Sequence, residues 1–401
     1  MAEAPGGMTR CYQINLQTGW GGGEVYTAFF TRTLLRLGVP TTLYVHPGNP
    51  HWMARLPAEC TVVPVRNMAD IGAKLPGSSC WLLFHTPVAE AGAARLRDVG
   101  HFLSAIVHMP LYGRDPAAMH AYDLVYGVSA HVIDSLHAAG VQRIDEEPLW
   151  GVADLAGRSG AADTPIFATS PYDWDYRKVR DRLLSWIYPL YAARDSKRRY
   201  TRAPGIALGL VSRLTPIKQF PLLFRHISPV LARHPEFRLE IFGAGGYASV
   251  RDLRRALAPI QDRVRFWGHQ RDVGAVYRKL DYLLAGLPEK EALGLNILEA
   301  QACGTPVLAV HARPFTETVS DGITGLFYDD PRADAGASFD KLLQRLAAAP
   351  FHISSELAKR HLEQFSEAAF TQRVARLIET TTSLMDGQSR QTVTINPEAE
   401  K

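Results

Sequence analysis

Two kinds of stretch alternate along the first half of the chain: short, nearly continuous apolar runs, and longer stretches whose apolar residues recur at helical spacing. The apolar runs predict strands buried on both faces, and the alternation predicts a parallel sheet covered by helices. Strands are expected at 11–17, 41–46, 61–65, 80–85, 102–108 and 124–127. Between the first two, Val25, Ala28, Phe29, Thr33 and Leu37 lie near helical spacing and Gly38 supplies a stop, so a helix is expected over 24–37. Ser129 is placed to cap another helix, running to Ala139 and ended again by a glycine.

The second half repeats the scheme. Strands are expected at 206–212, 238–242, 264–266, 282–285 and 306–310, with helices at 220–233, 250–257, 273–280, 293–303, 338–347 and 354–363. Two such series predict an α/β protein of two doubly wound, Rossmann-like domains facing a central cleft, with ligands outside the carboxyl ends of the strands. The expected boundaries are a first domain over 1–165, a connector over 166–204 and a second domain over 205–352. Helices over 353–386 are able to cross back to the first domain, and a polar tail over 387–401 is expected to be disordered.

Composition narrows the classes. A hydrophobic share of 46% and a charged share of 21% suit a globular protein with full cores. No apolar run reaches the ~18 residues of a membrane span, and the first ten residues lack the apolar segment of a signal peptide, so a cytoplasmic enzyme is expected. Cys11, Cys60, Cys80 and Cys303 are scattered, never in metal-ligand spacing, and read as reduced thiols. The net charge of +4 is unevenly placed: from Pro171 to Ala203 nine Lys/Arg stand against four Asp, more than the excess of the whole chain. A nucleic-acid binder would carry its basic face across a domain, so no nucleic-acid partner is expected.

Three segments carry candidate chemistry. Gly19-Trp20-Gly21-Gly22-Gly23-Glu24 follows the first strand and opens the first helix, where free N–H groups and a positive dipole end suit phosphate. Its spacing is not that of the dinucleotide fingerprint, and a tight turn without ligand is the alternative. Ser212-Arg213-Leu214-Thr215-Pro216-Ile217-Lys218 puts a fork donor and a point charge at a strand's carboxyl end, as a diphosphate requires; two solvated cations are the alternative. In the third, Glu291 precedes a helix and Glu299 lies within it, while the N–H groups of Leu295 and Asn296 are free to receive phosphate or sugar oxygens. Acids that merely favour the helix dipole are the alternative there.

Glu291 and Glu299 in the pattern E-x(7)-E, followed by Ala300-Gln301-Ala302-Cys303-Gly304-Thr305-Pro306-Val307, resemble the signature of glycosyltransferase family 4, retaining enzymes of GT-B fold. The glycine-rich first loop, the strand ending in His108, the Arg213/Lys218 loop, Phe242-Gly243-Ala244-Gly245 and Phe266-Trp267-Gly268 keep the same order. The resemblance runs from about Ile14 to Glu363 and implies a nucleoside-diphosphate sugar, UDP- or GDP-linked, as co-substrate with no other cofactor. No Asp-x-Asp pair stands at a strand end (Asp173-Trp174-Asp175 lies in the connector), so no divalent metal is expected. It implies that Glu299 holds the donor ribose, Glu291 contacts the transferred sugar, and Arg213 and Lys218 hold the diphosphate. Gly22, Gly23 and Gly243 border the phosphates, and His269, Gln270 and Arg271, with Trp267, border the base. His108 would lie near the reacting centre, with His85 a weaker candidate; a structural role is the alternative for both. The implied acceptor is a glycan, lipid-linked or other hydroxyl compound, as in bacterial polysaccharide or glycolipid assembly.

Pro148-Leu149-Trp150-Gly151-Val152-Ala153-Asp154 resembles the close of the family's first domain, yet the next strand begins some fifty residues later. The intervening Pro171–Ala203 stretch interleaves its cations with Tyr172, Trp174, Tyr176, Trp186, Tyr188, Tyr191 and Tyr200. It suits contact with the inner surface of a membrane, binding of a phosphorylated or lipid-linked acceptor, or a helix packed on the first domain with a solvated basic face. A non-catalytic nucleotide-sugar binder and a sugar-nucleotide epimerase of the same architecture are the competing functions.

Overall fold

The computed structural model describes residues 10–19, 21–85, 87–88, 90–152, 164–192 and 198–394. The chain divides into two compact units: the first ends at Val152 and resumes at Phe365, and the second lies between and ends at Gln364.

The first unit opens with β1 (Cys11–Asn15), α1 (Gly22–Arg36), β2 (Thr41–Val45), β3 (Thr61–Pro64) and α2 (Met68–Lys74). It continues with β4 (Trp81–Phe84), α3 (Glu90–Asp98), β5 (Phe102–Val107), α4 (Ala117–His120), β6 (Leu124–Gly127) and α5 (Ala130–Ala138). All six strands are parallel, in the order β3-β2-β1-β4-β5-β6. β1, β2, β4, β5 and β6 are buried on both faces, as their continuous apolar runs predict, apart from a half-buried Tyr12. Ser129 caps α5 as expected, its hydroxyl accepting from the Val132 N–H at 3.1 Å.

The second unit contains α6 (Val179–Ala192), β7 (Ile206–Val211), α7 (Phe220–Ala232), β8 (Phe237–Phe242), α8 (Tyr247–Ala256), β9 (Val264–Gly268) and α9 (Val273–Tyr277). It continues with β10 (Tyr282–Leu284), α10 (Leu295–Ala302), β11 (Val307–Val310), α11 (Phe315–Thr318), β12 (Gly325–Tyr328), α12 (Ala337–Ala348) and α13 (Ser355–Glu363). Its parallel sheet runs β12-β11-β10-β7-β8-β9, the same doubly wound order. The winding reverses between β1 and β4 in one unit and between β7 and β10 in the other, the points where such sheets open a crevice for ligands. One core built on Leu208, Phe224, Ile241, Leu283, Leu308 and Leu343 fills the second unit.

Several boundaries differ from expectation. Residues expected as a connector, with a helix packed on the first domain as one reading, belong to the second unit: Phe167 bridges Arg199, Tyr172 bridges Gly245, and Ile166, Ala168 and Tyr200 enter its core. Backbone bonds from Thr169 N to Trp267 O (2.9 Å) and Asp173 N to Gly245 O (2.9 Å) tie the segment beside β9. The last helix, α14 (Glu367–Thr394), runs on through Gly387, where a disordered tail was expected to begin. It belongs to the first unit through buried Phe370, which meets Tyr26, Phe29 and Phe30, and through Arg376, paired with Asp145 and Glu147. β12 closes an edge that the sequence pattern left open.

Candidate functional site

In the second unit the candidates gather where the winding reverses. After β7 the chain passes Ser212 to Thr215, makes a 3-10 turn over Pro216–Lys218, and enters α7 through Gln219 at φ 53°. The turn directs Lys218 at Glu291, whose Oε2 accepts from the ammonium at 2.5 Å with both side chains largely covered. Glu291 stands on the loop between β10 and α10, which Arg332 braces by pairing with Glu289 and Asp330. Ser212, Lys218, Gly286, Glu291 and Asn296 share the lining of a small cavity at these strand ends. A larger concavity between α7 and α8 contains none of the candidates.

α10 begins two residues later than expected, behind Gly294 at φ 83°. Leu295 and Asn296 are thus its first two residues, and their N–H groups have no acceptor one turn back, leaving the positive end of the helix open. Asn296 uses its side-chain amide on the Val211 carbonyl at 3.1 Å, fixing this end of the helix to the tip of β7. Glu299 is the fifth residue of α10 and is half-buried; its Oε2 accepts from Tyr277 Oη at 3.1 Å. Burial, then the charge of Glu299, holds the Tyr277 hydroxyl well above its ordinary range, so it stays a donor.

Gly243 shapes the loop that carries Arg213. At φ 143°, a Cβ there would meet the Ser212 carbonyl oxygen at 1.8 Å, and one on Gly245 would meet the Leu214 carbonyl oxygen at 2.0 Å. The absent side chains let the two loops extend the ladder by Ser212 N to Phe242 O (3.0 Å) and Leu214 N to Ala244 O (2.8 Å). Arg213 itself is exposed, with no side-chain hydrogen bond or ion pair among the described residues. The turn after β9 is held from the connector side. Thr169 donates to the His269 carbonyl at 3.0 Å, and the Gln270 amide nitrogen donates to Phe167 O (3.0 Å) and Trp267 O (2.8 Å). His269 and Arg271 are exposed, whereas the amide nitrogen of Gln270 is committed to the protein.

Trp267 corrects the expectation that it borders a base. Ile241 pairs with Phe266 and Phe242 with Gly268, so Trp267 is the extra residue of a bulge. It is fully buried, donating to Glu240 at 2.6 Å beneath the Arg198 guanidinium.

The first unit has its own cluster at the β1/β4 reversal. Gly22 and Gly23 open α1, and a Cβ on Gly23 would lie 3.9 Å from the His108 ring. Trp20, between them and β1, lies outside the described residues. Asn49 braces this turn by donating to Gly19 O at 2.8 Å. Gln13 lies level with Leu83, and His85, two residues further on, shares that face of the sheet. His85 Nε2 contacts Gln13 Oε1 at 2.8 Å, and its Nδ1 contacts His108 Nε2 at 3.2 Å. Burial lowers the pKa of His85 well below the ordinary value and that of His108 to about 4, so both rings are neutral near pH 7.

Neutral rings fix the direction of the chain. The Thr31 hydroxyl donates to Thr27 O at 2.8 Å and receives the Gln13 amide at 3.0 Å, leaving Gln13 Oε1 to accept from His85. His85 Nδ1 is then an acceptor, His108 must donate from Nε2, and its Nδ1 carries the lone pair. Gln13, Tyr277 and Arg332 act on candidates from other elements, and nothing in their own sequence surroundings announces it.

Two doubly wound sheets of this order, each with candidates at its reversal, define the architecture of GT-B glycosyltransferases. The sequence model of the family described as "Glycosyl transferases group 1" matches residues 205–347. A D-inositol 3-phosphate glycosyltransferase from Rhodococcus jostii is 34% identical over 168 residues, covering 39% of this chain and 36% of that protein. One from Kribbella flavida is 27% identical over 341 residues, covering 76% and 78%. The chain thus spans little more than a third of the length of the Rhodococcus relative. Among solved structures, Anabaena HepE in complex with UDP superimposes with a TM-score of 0.67 at 16% identity, covering 92% of this chain and 100% of that one. Sucrose-phosphate synthase from Thermosynechococcus elongatus gives 0.66 at 14%, covering 94% and 100%. The chain has the GT-B fold, and its second unit matches the glycosyl transferases group 1 family over residues 205–347.

Proposed function

We propose that the chain is a glycosyltransferase that moves a hexosyl group from a nucleoside-diphosphate sugar to a hydroxyl acceptor, with retention and without a metal ion. The observation that carries this reading is the Lys218–Glu291 pair beside the open N-terminus of α10, at the reversal of the second sheet. In the proposed reaction the bond from sugar C1 to the diphosphate oxygen breaks and its electron pair leaves on the diphosphate. The acceptor oxygen bonds to C1 and its proton passes to the departing diphosphate oxygen. Arg213, Lys218 and the Leu295 and Asn296 N–H groups would carry the charge of the leaving group. Glu291 would orient the transferred sugar, and Glu299, kept in place by Tyr277, the ribose. His269, Gln270 and Arg271 would border the base, and Gly22 and Gly23 a phosphate. His108, presenting Nδ1 as an acceptor, would act near the reacting centre.

Solved HepE structures are complexes with UDP and with UDP-glucose, which makes a uridine donor the first to test and a guanosine donor the second. The names of the curated relatives add inositol phosphate to the acceptors, beside glycan and lipid-linked hydroxyls. A peripheral position on the inner membrane face, through the Pro171–Ala203 segment, suits a lipid-linked acceptor.

The test is thermal stabilisation by nucleoside diphosphates and their sugars, with Mg²⁺ or with EDTA, followed by a transfer assay. A shift with one base, lost in Glu299→Ala and unaffected by EDTA, together with transfer lost in Arg213→Ala, is expected. Binding without transfer or hydrolysis would make the chain a nucleotide-sugar binder, and no shift with any nucleotide would remove the donor site.

A further inference from the structure

α6 has two unlike faces. On one, Asp181 is buried and accepts from the Asp175 N–H at 3.2 Å, and Tyr188 meets Tyr172 and Trp174 with ring centroids 5.3 and 5.7 Å away. Arg180 lies over Tyr247, 5.0 Å from its centroid. These contacts seat the helix on the second unit. The opposite face carries Val179, Leu183, Trp186 and Ile187, spaced i, i+4, i+7 and i+8, which is one continuous stripe. The stripe is uncovered: Trp186 is 84% exposed, Val179 63%, Leu183 59% and Ile187 40%. Tyr176, at 65%, extends it past the helix start.

Cations border the stripe. Arg182 lies along one edge and Arg180 along the other, with Arg177 and Lys178 at the amino end, all exposed. Asp175 and Asp181 pair with three of these, whereas Arg182 pairs with no acid among the described residues. A helix seated by its polar and aromatic side, with apolar residues outward between basic edges, matches the form that lies in a membrane interface. The cations would meet lipid phosphates while Trp186 and Leu183 enter the acyl boundary.

We propose that α6 docks the protein onto an anionic lipid surface through Val179, Leu183, Trp186 and Ile187, with Arg177, Lys178 and Arg182 on the headgroups. A second copy of the chain is the less suitable occupant, because two such stripes in contact would bring their basic edges together. The inference stands on this face alone and does not depend on a donor site in the same unit.

The experiment is co-sedimentation of the full chain with phosphatidylglycerol-containing and with pure phosphatidylcholine vesicles. Binding to the anionic vesicles is expected to exceed neutral binding by about tenfold and to fall at high salt. Leu183→Ser with Trp186→Ser is expected to reduce it by about tenfold or more, given the apolar surface removed, and Arg182→Glu to weaken it without changing the thermal midpoint. All three positions are exposed, so the fold and any nucleotide-induced shift should persist. Equal binding to both vesicles, no binding, or a serine variant that binds like the parent overturns the proposal. So does a concentration-dependent dimer that disappears in the serine variant while vesicles remain unbound.

Discussion

Replacing Gly243 by alanine adds one carbon at the point where the two loops of the second unit touch. That carbon would sit 1.8 Å from the Ser212 carbonyl oxygen, and what blocks it is backbone. Ordinary contact needs roughly 3.2 Å, so one loop must retreat by about 1.4 Å. The φ of 143° adds strain for an L-residue of about 1–3 kcal/mol. Retreat also breaks the bonds from Ser212 N and Leu214 N, about 1 kcal/mol each. A loss of about 3–5 kcal/mol follows, a large part of a domain's usual ~5–15 kcal/mol. Arg213 rides on the displaced loop, and a misplacement of about 1 Å is worth roughly a hundredfold in a positioned site. The control is Gly246→Ala, where an added carbon meets nothing within 4 Å and φ is −60°. Urea unfolding gives the stability change and calorimetric titration with the preferred nucleoside diphosphate gives the affinity change. Gly243→Ala within about 0.5 kcal/mol of the parent, with unchanged affinity, would refute the claim that close approach shapes this loop.

Lys218→Ala leaves Glu291 without its ammonium partner and should cost about 1–3 kcal/mol while lowering nucleoside-diphosphate affinity at least about tenfold; an unchanged titration would count against Lys218 as a phosphate ligand. Tyr277→Phe removes the donor to Glu299 in a buried setting and should weaken nucleotide binding less than Glu299→Ala does; equal or greater loss would show that Tyr277 acts on its own. Acid should destabilise the first unit: His108 has a folded pKa of about 4 against an ordinary ~6.5, so the unfolded chain binds more protons between those values. Stability contributed by neutral His108 is complete above about pH 6.5 and is lost as pH falls towards 4. His108→Gln should flatten that limb of the urea-midpoint profile, and an unaltered slope would count against the depressed pKa. Gln13→Leu should free His85 and His108 to exchange tautomers, read from imidazole ¹⁵N shifts; a retained Nε2–H form of His108 would show that Gln13 does not set it.

Much of the fold was legible because parallel strands buried on both faces read as largely apolar runs: β1, β2, β4, β5 and β6 in one unit, β7 in the other. The loop residues after β7 and before α10 were legible as well, since charged side chains stand there directly beside strand ends. What stayed hidden depends on partners far along the chain. Gln13 and His85 are separated by 72 positions and Trp267 and Glu240 by 27, and no local pattern records such pairs. Trp267 was misread because a bulge shifts the alternation by one residue, turning a presumed rim side chain into the core. The connector was misread because its few bridging residues join β9 by backbone bonds, which composition does not reveal. The mixed aromatic and basic content of 171–203 was plain, but only the seating of α6 shows which of those residues face outward.

The two sheets share one strand order but fill their reversal points in opposite ways. Between β7 and β10 stand formal charges, a lysine against a glutamate, with an exposed arginine and an open helix end nearby. Such a cluster can trade the internal ion pair for an incoming anion, because Glu291 offers Lys218 only one of the contacts that a diphosphate could supply. Between β1 and β4 stand neutral groups, Thr31, Gln13, His85 and His108, joined by bonds whose direction is fixed from the buried end. Protonation of His108 would fall on Nδ1 and leave its Nε2–H bond to His85 intact, so burial alone, which disfavours the charged ring, keeps its pKa low. On the proposed reading the charged reversal point would hold an anion, and the neutral one would present a single uncharged acceptor atom in a fixed orientation. That difference can be tested without knowing the sugar or the acceptor. Raising the salt concentration should weaken nucleotide binding at the charged point through screening, while the tautomer of His108 should not respond.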